Sequence, residues 1–253
     1  MIQLTPPIKL FVFLCGLFIS SIVVAELIGG KLFSLEESLG LSKLNFSFLG
    51  QENLSLTLSV GVLPWPIVFI ITDIINDYYG FKAVRFVTLI STMFISIAFL
   101  LVSFAIHTSP DTSWWLYSQT QHGVSNMNDA FKVIFGQSTN IIFASIIAFL
   151  IGQLTDALIF KKIKQKTGEK YIWLRATTST LFSQFIDSIV VTLVAFYLLS
   201  TMSFAMALAL ACTAYLYKFI IALFSTPILY LVHFFVEKYL GEKTAMEMRK
   251  NNA

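Results

Sequence analysis

The chain has 253 residues, 57% of them hydrophobic and only 12% charged, with a mean hydropathy of +0.79. A soluble domain carries roughly twice that charged fraction, so the composition excludes an ordinary water-soluble globule. The net charge of +3 comes from basic residues at the ends of apolar runs and gives no nucleic-acid footprint. Cys15 and Cys212 lie inside such runs as small hydrophobes rather than as a disulfide or metal pair.

Six apolar stretches, near 9–30, 58–79, 82–106, 133–160, 172–199 and 204–236, are each long enough to cross a hydrocarbon core about 30 Å thick. Backbone amides in lipid must be satisfied within their own segment, so the prediction is one all-α transmembrane domain over 1–253. The first stretch begins like a signal peptide, with Lys9 before Leu10–Ala25. It runs on through Leu27 and Ile28, without an A-x-A cleavage pattern. Residues 31–57 alternate apolar and polar around Gly50, as a small hairpin lid or a frayed loop would. Pro64 and Pro66 start the second stretch, where a missing N–H costs little. Trp65, Trp114, Trp115, Tyr117, Tyr171 and Trp173 suit the membrane interface. Residues 107–130 read as an ordinary polar loop. The sixth stretch is over-long, and Pro227 inside it predicts a kink.

Lys and Arg fix the orientation. With the N-terminus cytoplasmic, the inner side holds Lys9, Lys82, Arg85, Lys161, Lys162, Lys164, Lys166, Lys170, Arg175, Lys238, Lys243, Arg249 and Lys250. The outer side holds Lys31, Lys43 and Lys132, and Lys218 falls within the membrane. Both termini are therefore expected in the cytoplasm. Three helices followed by three of opposite sense would make a 3+3 inverted repeat, with Phe69–Asp73 and Gln184–Asp187 as counterparts.

Charges at bilayer depth cost about 2.5–3.5 kcal/mol or more each and mark functional sites by default. Asp187 and Lys218 both fall about 3 Å outward of the middle of their spans, at a rise of about 1.5 Å per residue. They can pair, with Tyr215 one turn from Lys218. A pair that only locks two helices together is the bland alternative. Thr180, Gln184, Asp187 and Val191 share one face of the fifth span. Gln153 and Asp156 lie near the inner part of the fourth, with Asn140 higher up. Asp73 and Asp77 lie at the inner end of the second. Interfacial snorkelling and helix–helix hydrogen bonding are the bland reading; for Asp73 and Asp156 it and a site role weigh equally, and for Asp77 it is preferred. Glu26 stands near the outer end of the first span as a gate or an interfacial residue. His107, His122 and His233 are isolated. No P-loop, H-E-x-x-H or G-x-S-x-G motif is present, so polar groups converging at mid-membrane describe a binding site rather than an enzyme. No cofactor or metal is expected.

Several stretches carry a resemblance. They are Leu63-Pro64-Trp65-Pro66 running to Asp73 and Tyr79-Gly80, Gly152-Gln153-Leu154-Thr155-Asp156, Ser179 to Ser188, and Tyr217-Lys218-Phe219-Ile220-Ile221-Ala222, with Ala25-Glu26-Leu27-Ile28-Gly29-Gly30 at the end of the first span. With these the chain resembles the queuosine precursor transporter family, also described as vitamin-uptake-transporter-like. The resemblance implies a multi-pass importer of 7-deazaguanine bases (preQ0, preQ1 or queuine) in the bacterial inner membrane. The alternative is the substrate-binding membrane subunit of an energy-coupling, ATPase-dependent uptake complex. A homodimer or an ATPase partner stays open. The residue chemistry agrees, because a guanine-like edge presents two adjacent donors that one carboxylate accepts in a fork. Asp187 or Asp73 suits that role, with Gln184, Gln153 or Asn140 completing the edge. Lys218 would hold the carboxylate charged, and Tyr215 and Phe182 would stack on the base. Asp156 and Glu26 complete the candidate set.

Overall fold

A computed structural model describes residues 4–111, 113, 123–137, 139–168 and 170–252. Trp114, Trp115, Tyr117, His122 and the centre of the 107–130 loop lie outside the described residues.

Helix α1 (Pro6–Ile28) opens on two prolines at its first turn, where their missing donors are harmless. A short outer segment follows: β1 (Leu32–Ser34), one turn of helix α2 (Leu35–Ser38), β2 (Phe46–Phe48), β3 (Gln51–Leu54), β4 (Thr57–Ser59) and a 3-10 turn over Val60–Val62. Helix α3 (Trp65–His107) comes next, then α4 (Met127–Phe135), α5 (Thr139–Thr167), α6 (Ile172–Thr192, continued by a π turn over Leu193–Leu198), α7 (Phe204–Leu240) and α8 (Glu242–Asn251). Five helical segments among the described residues are long and apolar enough to cross a membrane: Pro6–Ile28, Val60–His107, Met127–Thr167, Ile172–Leu198 and Phe204–Leu240. Phenylalanines 13, 94, 104, 182, 224, 234 and 235 point outward and exposed, as side chains meant for lipid do.

The second of these segments is broken at Gly80, where φ 80° and ψ 172° leave the helical region. Only glycine adopts that conformation without strain. Contacts show the chain turning back there. The Tyr79 hydroxyl donates to the Pro7 carbonyl at 2.8 Å, Lys164 Nζ donates to the Asp77 carbonyl at 2.8 Å, and Asn252 Nδ2 donates to the Tyr78 carbonyl at 2.9 Å. The start of α1, the end of α5 and the end of α8 thus gather at the Gly80 corner. At the opposite end Gln137 Nε2 donates to the Glu26 carbonyl at 2.7 Å, and Asn140 donates to the Leu199 carbonyl. Gly61 there lies so close to α1 that an added Cβ would stand 2.5 Å from the Ala25 carbonyl oxygen. Ile106, at the far end of α3, reaches Gly136 at this same end.

Two expected boundaries shift. The stretch near 133–160 is two helices, because α4 ends at Gly136 and α5 begins at Thr139; Asn126 caps α4 by accepting from the Asp129 amide at 3.1 Å. Helix α7 runs unbroken through Pro227 from a Ser203 cap. Between the helices, Phe18, Ile22, Val68, Ile74, Ile75, Tyr78, Phe149 and Phe160 form a dense apolar core.

The outer segment is ordered as two antiparallel pairs, β1 with β4 and β2 with β3, the latter turning at Leu49-Gly50. Buried Glu36 ties it together, its carboxylate accepting from the Leu56 amide at 2.7 Å, from the Leu44 amide at 3.4 Å and from the Ser34 hydroxyl at 3.0 Å. The Leu56 amide is the main reason its carboxyl lies below the usual range. A lowered value means the ionised form steadies the segment. That support is complete above the ordinary glutamate value of about 4.3 and is lost as pH falls through the lower folded value. Amide exchange over residues 44–58 should therefore accelerate below about pH 4, and Glu36→Gln should give fast exchange already at neutral pH. Slow exchange in Glu36→Gln at neutral pH would remove this anchor role.

Candidate functional site

Three layers of polar side chains lie along the interior, all carried on faces that the helix period turns inward. On α6 the buried polar residues are Arg175, Ser179, Thr180, Ser183, Gln184, Asp187, Ser188 and Thr192, which recur along one face at three- and four-residue steps.

The outer layer is a cavity of about 300 Å³ under the β1–β4 ribbon. Asp187 and Lys218 form an ion pair in its wall, with their side chains 8% and 10% exposed. Gly152 on α5 lets Asp187 come close: a Cβ added there would sit 3.4 Å from the Asp187 Cβ. Lys218 Nζ stands 5.6 Å from the centre of the Trp65 ring, within cation–π range. Glu26 shares the cavity. Its carboxylate takes both oxygens' contacts from the Ser145 hydroxyl, at 2.7 and 2.8 Å, and makes no ion pair among the described residues. Two carboxylates and one ammonium thus face one chamber, walled further by Phe149 and Phe196. Such a site offers acceptors for donor-rich cargo and flat rings to hold it.

The middle layer is crowded. The Thr72 hydroxyl donates to Gln153 Oε1 at 3.1 Å, and the Ser183 hydroxyl donates to Asp156 at 3.1 Å. Asp73 Oδ1 and Gln184 Oε1 are buried without a hydrogen-bond partner. Of the residues singled out in the sequence, Asp187, Lys218 and Glu26 line the cavity, whereas Asp73, Asp156, Gln153 and Gln184 belong to this layer. Asn140 sits at the outer end, tying α5 to the end of α6. Tyr215 packs against Phe185 and Phe219, outside the cavity wall, and Phe182 is 59% exposed.

The inner layer corrects the sequence reading. Asp77 is fully buried and makes helix–helix contacts rather than snorkelling to an interface. Its carboxylate lies 2.8 Å from Arg175, 3.1 Å from Lys164 and 3.1 Å from Arg249, and Arg249 also reaches Glu237 at 2.9 Å. Lys164 and Arg175 are buried as well, not solvated loop charges. His233, expected as isolated, is buried with Nδ1 3.1 Å from the Tyr78 hydroxyl. Trp65, Ser145 and Phe149 were not foreseen in the cavity wall. For Arg175 a signal existed, since it continues the stripe of Ser179 and Ser183 at four-residue steps. Among the described residues no group of three or more His, Cys, Asp or Glu is arranged to hold a metal ion.

Long apolar helices enclosing a polar chamber of small-molecule size define a multi-pass membrane transporter rather than a soluble receptor. Residues 59–232 match the family model described as "Putative vitamin uptake transporter", and the chain belongs to this vitamin uptake transporter family. It is 30% identical over 186 residues to a protein of Bacillus subtilis (strain 168) named "Probable queuosine precursor transporter", covering 71% of this chain and 73% of that one. A protein of the same name from Haemophilus influenzae (strain ATCC 51907 / DSM 11121 / KW20 / Rd) is 28% identical over 156 residues, covering 61% and 59%. No solved structure matches the chain.

Proposed function

We propose that this chain imports queuosine precursors, 7-deazaguanine bases, across the bacterial inner membrane by alternating access. The observation that carries the reading is the outer cavity, where Glu26, Asp187 and Lys218 meet beside the Trp65 ring. The names of its relatives supply the class of cargo. A volume of about 300 Å³ sits at the small end of ligand pockets, about 300–1,000 Å³, and suits a bare base better than a nucleotide.

In this reading the chain crosses the bilayer six times, with the Gly80 corner and both termini in the cytoplasm. The basic residues crowd that end, as the positive-inside rule requires. The cavity then opens from the outer half, and the β1–β4 ribbon is its lid. Asp187 is engaged by Lys218, while Glu26 has only a hydroxyl beside it. Glu26 is therefore the carboxylate more available to a donor-rich base edge, and Trp65 replaces Tyr215 and Phe182 as the stacking ring.

A strain that cannot make or import queuosine precursors, carrying this chain, tests the cargo when fed preQ0, preQ1 or queuine in turn. Queuosine should reappear in its tRNA with at least one compound, and Glu26→Gln should lower that recovery about tenfold, as expected for losing one carboxyl hydrogen-bond partner. Failure with all three compounds, at normal membrane abundance, would remove the proposed cargo class.

A further inference from the structure

We infer that the chain holds a second site, a single sodium ion beside Asp73, one layer inward of the cargo cavity. A separate void of about 10 Å³ lies there between α3, α6 and α7. On that measure about 10–15 Å³ admits one water-sized particle, and sodium is of that size.

The polar lining is Asp73, Thr177, Thr180, Ser225 and Thr226. Asp73 is 5% exposed, and its Oδ1 is buried without a hydrogen-bond donor. An unpaired buried carboxylate is costly, and a second one, Asp156, acts on it electrostatically. No hydroxyl in the lining donates to that oxygen, and two of them are turned to their own helix backbone. Ser225 donates to the Ile221 carbonyl at 2.9 Å and Thr226 to the Ala222 carbonyl at 3.4 Å. Thr177 and Thr226 are 2.8 Å apart and share one hydrogen bond between them. What remains toward the void is lone pairs. One carboxylate and several hydroxyl oxygens, hard donors carrying little total charge, suit a hard monovalent cation rather than a multivalent one.

The same helices build both sites. On α6, Thr180 at the void is seven residues from Asp187 at the cavity; on α7, Ser225 is seven residues from Lys218. Seven residues are two helical turns, about 10 Å, so the paired residues lie on one face. On α3, Phe69 lines the void and its ring centre is 5.6 Å from that of Trp65, which lines the cavity. A cation that draws α3, α6 and α7 together around Asp73 thereby fixes the positions of Trp65, Asp187 and Lys218. Ion and cargo sites adjoining near the midplane are what coupled transport requires.

The test uses the purified full chain in detergent and measures no uptake, so it stands or falls independently of the proposed cargo. Thermal unfolding is compared in sodium, potassium and choline chloride at equal ionic strength. Sodium should raise the melting temperature by about 3 °C over choline, as a ligand bound well above its Kd does, and potassium should not. The shift should vanish in Asp73→Asn and in the near-isosteric Thr226→Val, but survive in Asp187→Asn. Radioactive sodium should bind to the wild type and not to Thr226→Val, which covers the case of an unstable Asp73 variant. Equal melting in all three salts, an equal rise in potassium, or a sodium shift that persists in Asp73→Asn overturns the site. A melting temperature that responds to pH but not to sodium assigns a proton instead and overturns it equally.

Discussion

Precursor uptake by Lys218→Met should fall about 10–100-fold at matched membrane abundance, the loss expected when one or two charged hydrogen bonds to a cargo are spoiled. Removing the ammonium leaves the Asp187 carboxylate buried without its ion-pair partner. Breaking a buried pair from one side typically costs 3–5 kcal/mol, so abundance should drop too. The double variant Asp187→Asn/Lys218→Met separates the two effects. With no charge left stranded, it should return to near wild-type abundance, because a neutral replacement of a buried pair is often harmless to stability. Its uptake should stay low, since the Asp187 carboxylate and the Lys218 ammonium are gone from the chamber and Glu26 alone remains. A double variant that accumulates and also transports like the wild type would reduce the pair to a helix clamp and sink its role in the site.

The largest loss of stability is expected from Asp77→Ala. That carboxylate is surrounded by Lys164, Arg175 and Arg249 within 3.1 Å. Deleting it leaves three cations facing one another at the inner end, two of them almost fully buried. An uncompensated buried charge costs about 3–5 kcal/mol, a large part of the roughly 5–15 kcal/mol that holds a protein folded. Little Asp77→Ala protein should accumulate, and what does should melt well below wild type. Arg249→Ala should be far milder. Its side chain is 16% exposed and its second partner Glu237 is 39% exposed, so the lost contacts are partly screened by solvent. Melting of Asp77→Ala within a degree of wild type would show the cluster to be dispensable.

The apolar runs and their order were legible because hydropathy over about 20 residues is a local property, and a bilayer leaves the backbone little choice. That Asp187 and Lys218 could pair followed from rise per residue and needed only that α6 and α7 be neighbours. Tyr215 shows where such arithmetic stops. It is three residues from Lys218, but the cavity wall takes Ala214, four residues away, because the inward face follows the four-residue step. The Asp77 cluster was illegible for a different reason. Counting Lys and Arg by side treats them as solvated, whereas α8 folds back beneath the bundle and places Arg249 on a carboxylate on α3. Nothing local in the sequence announces that return. The small void at Asp73 likewise exists only where three helices meet.

The tight reversal at Gly80 bears on how this molecule can be probed. A glycine with φ 80°, flanked by Tyr79 bonded to Pro7 and Tyr78 bonded to Asn252, leaves no slack for an inserted epitope or protease site. Reporters spliced there would record a damaged protein rather than the side of the membrane on which the turn lies.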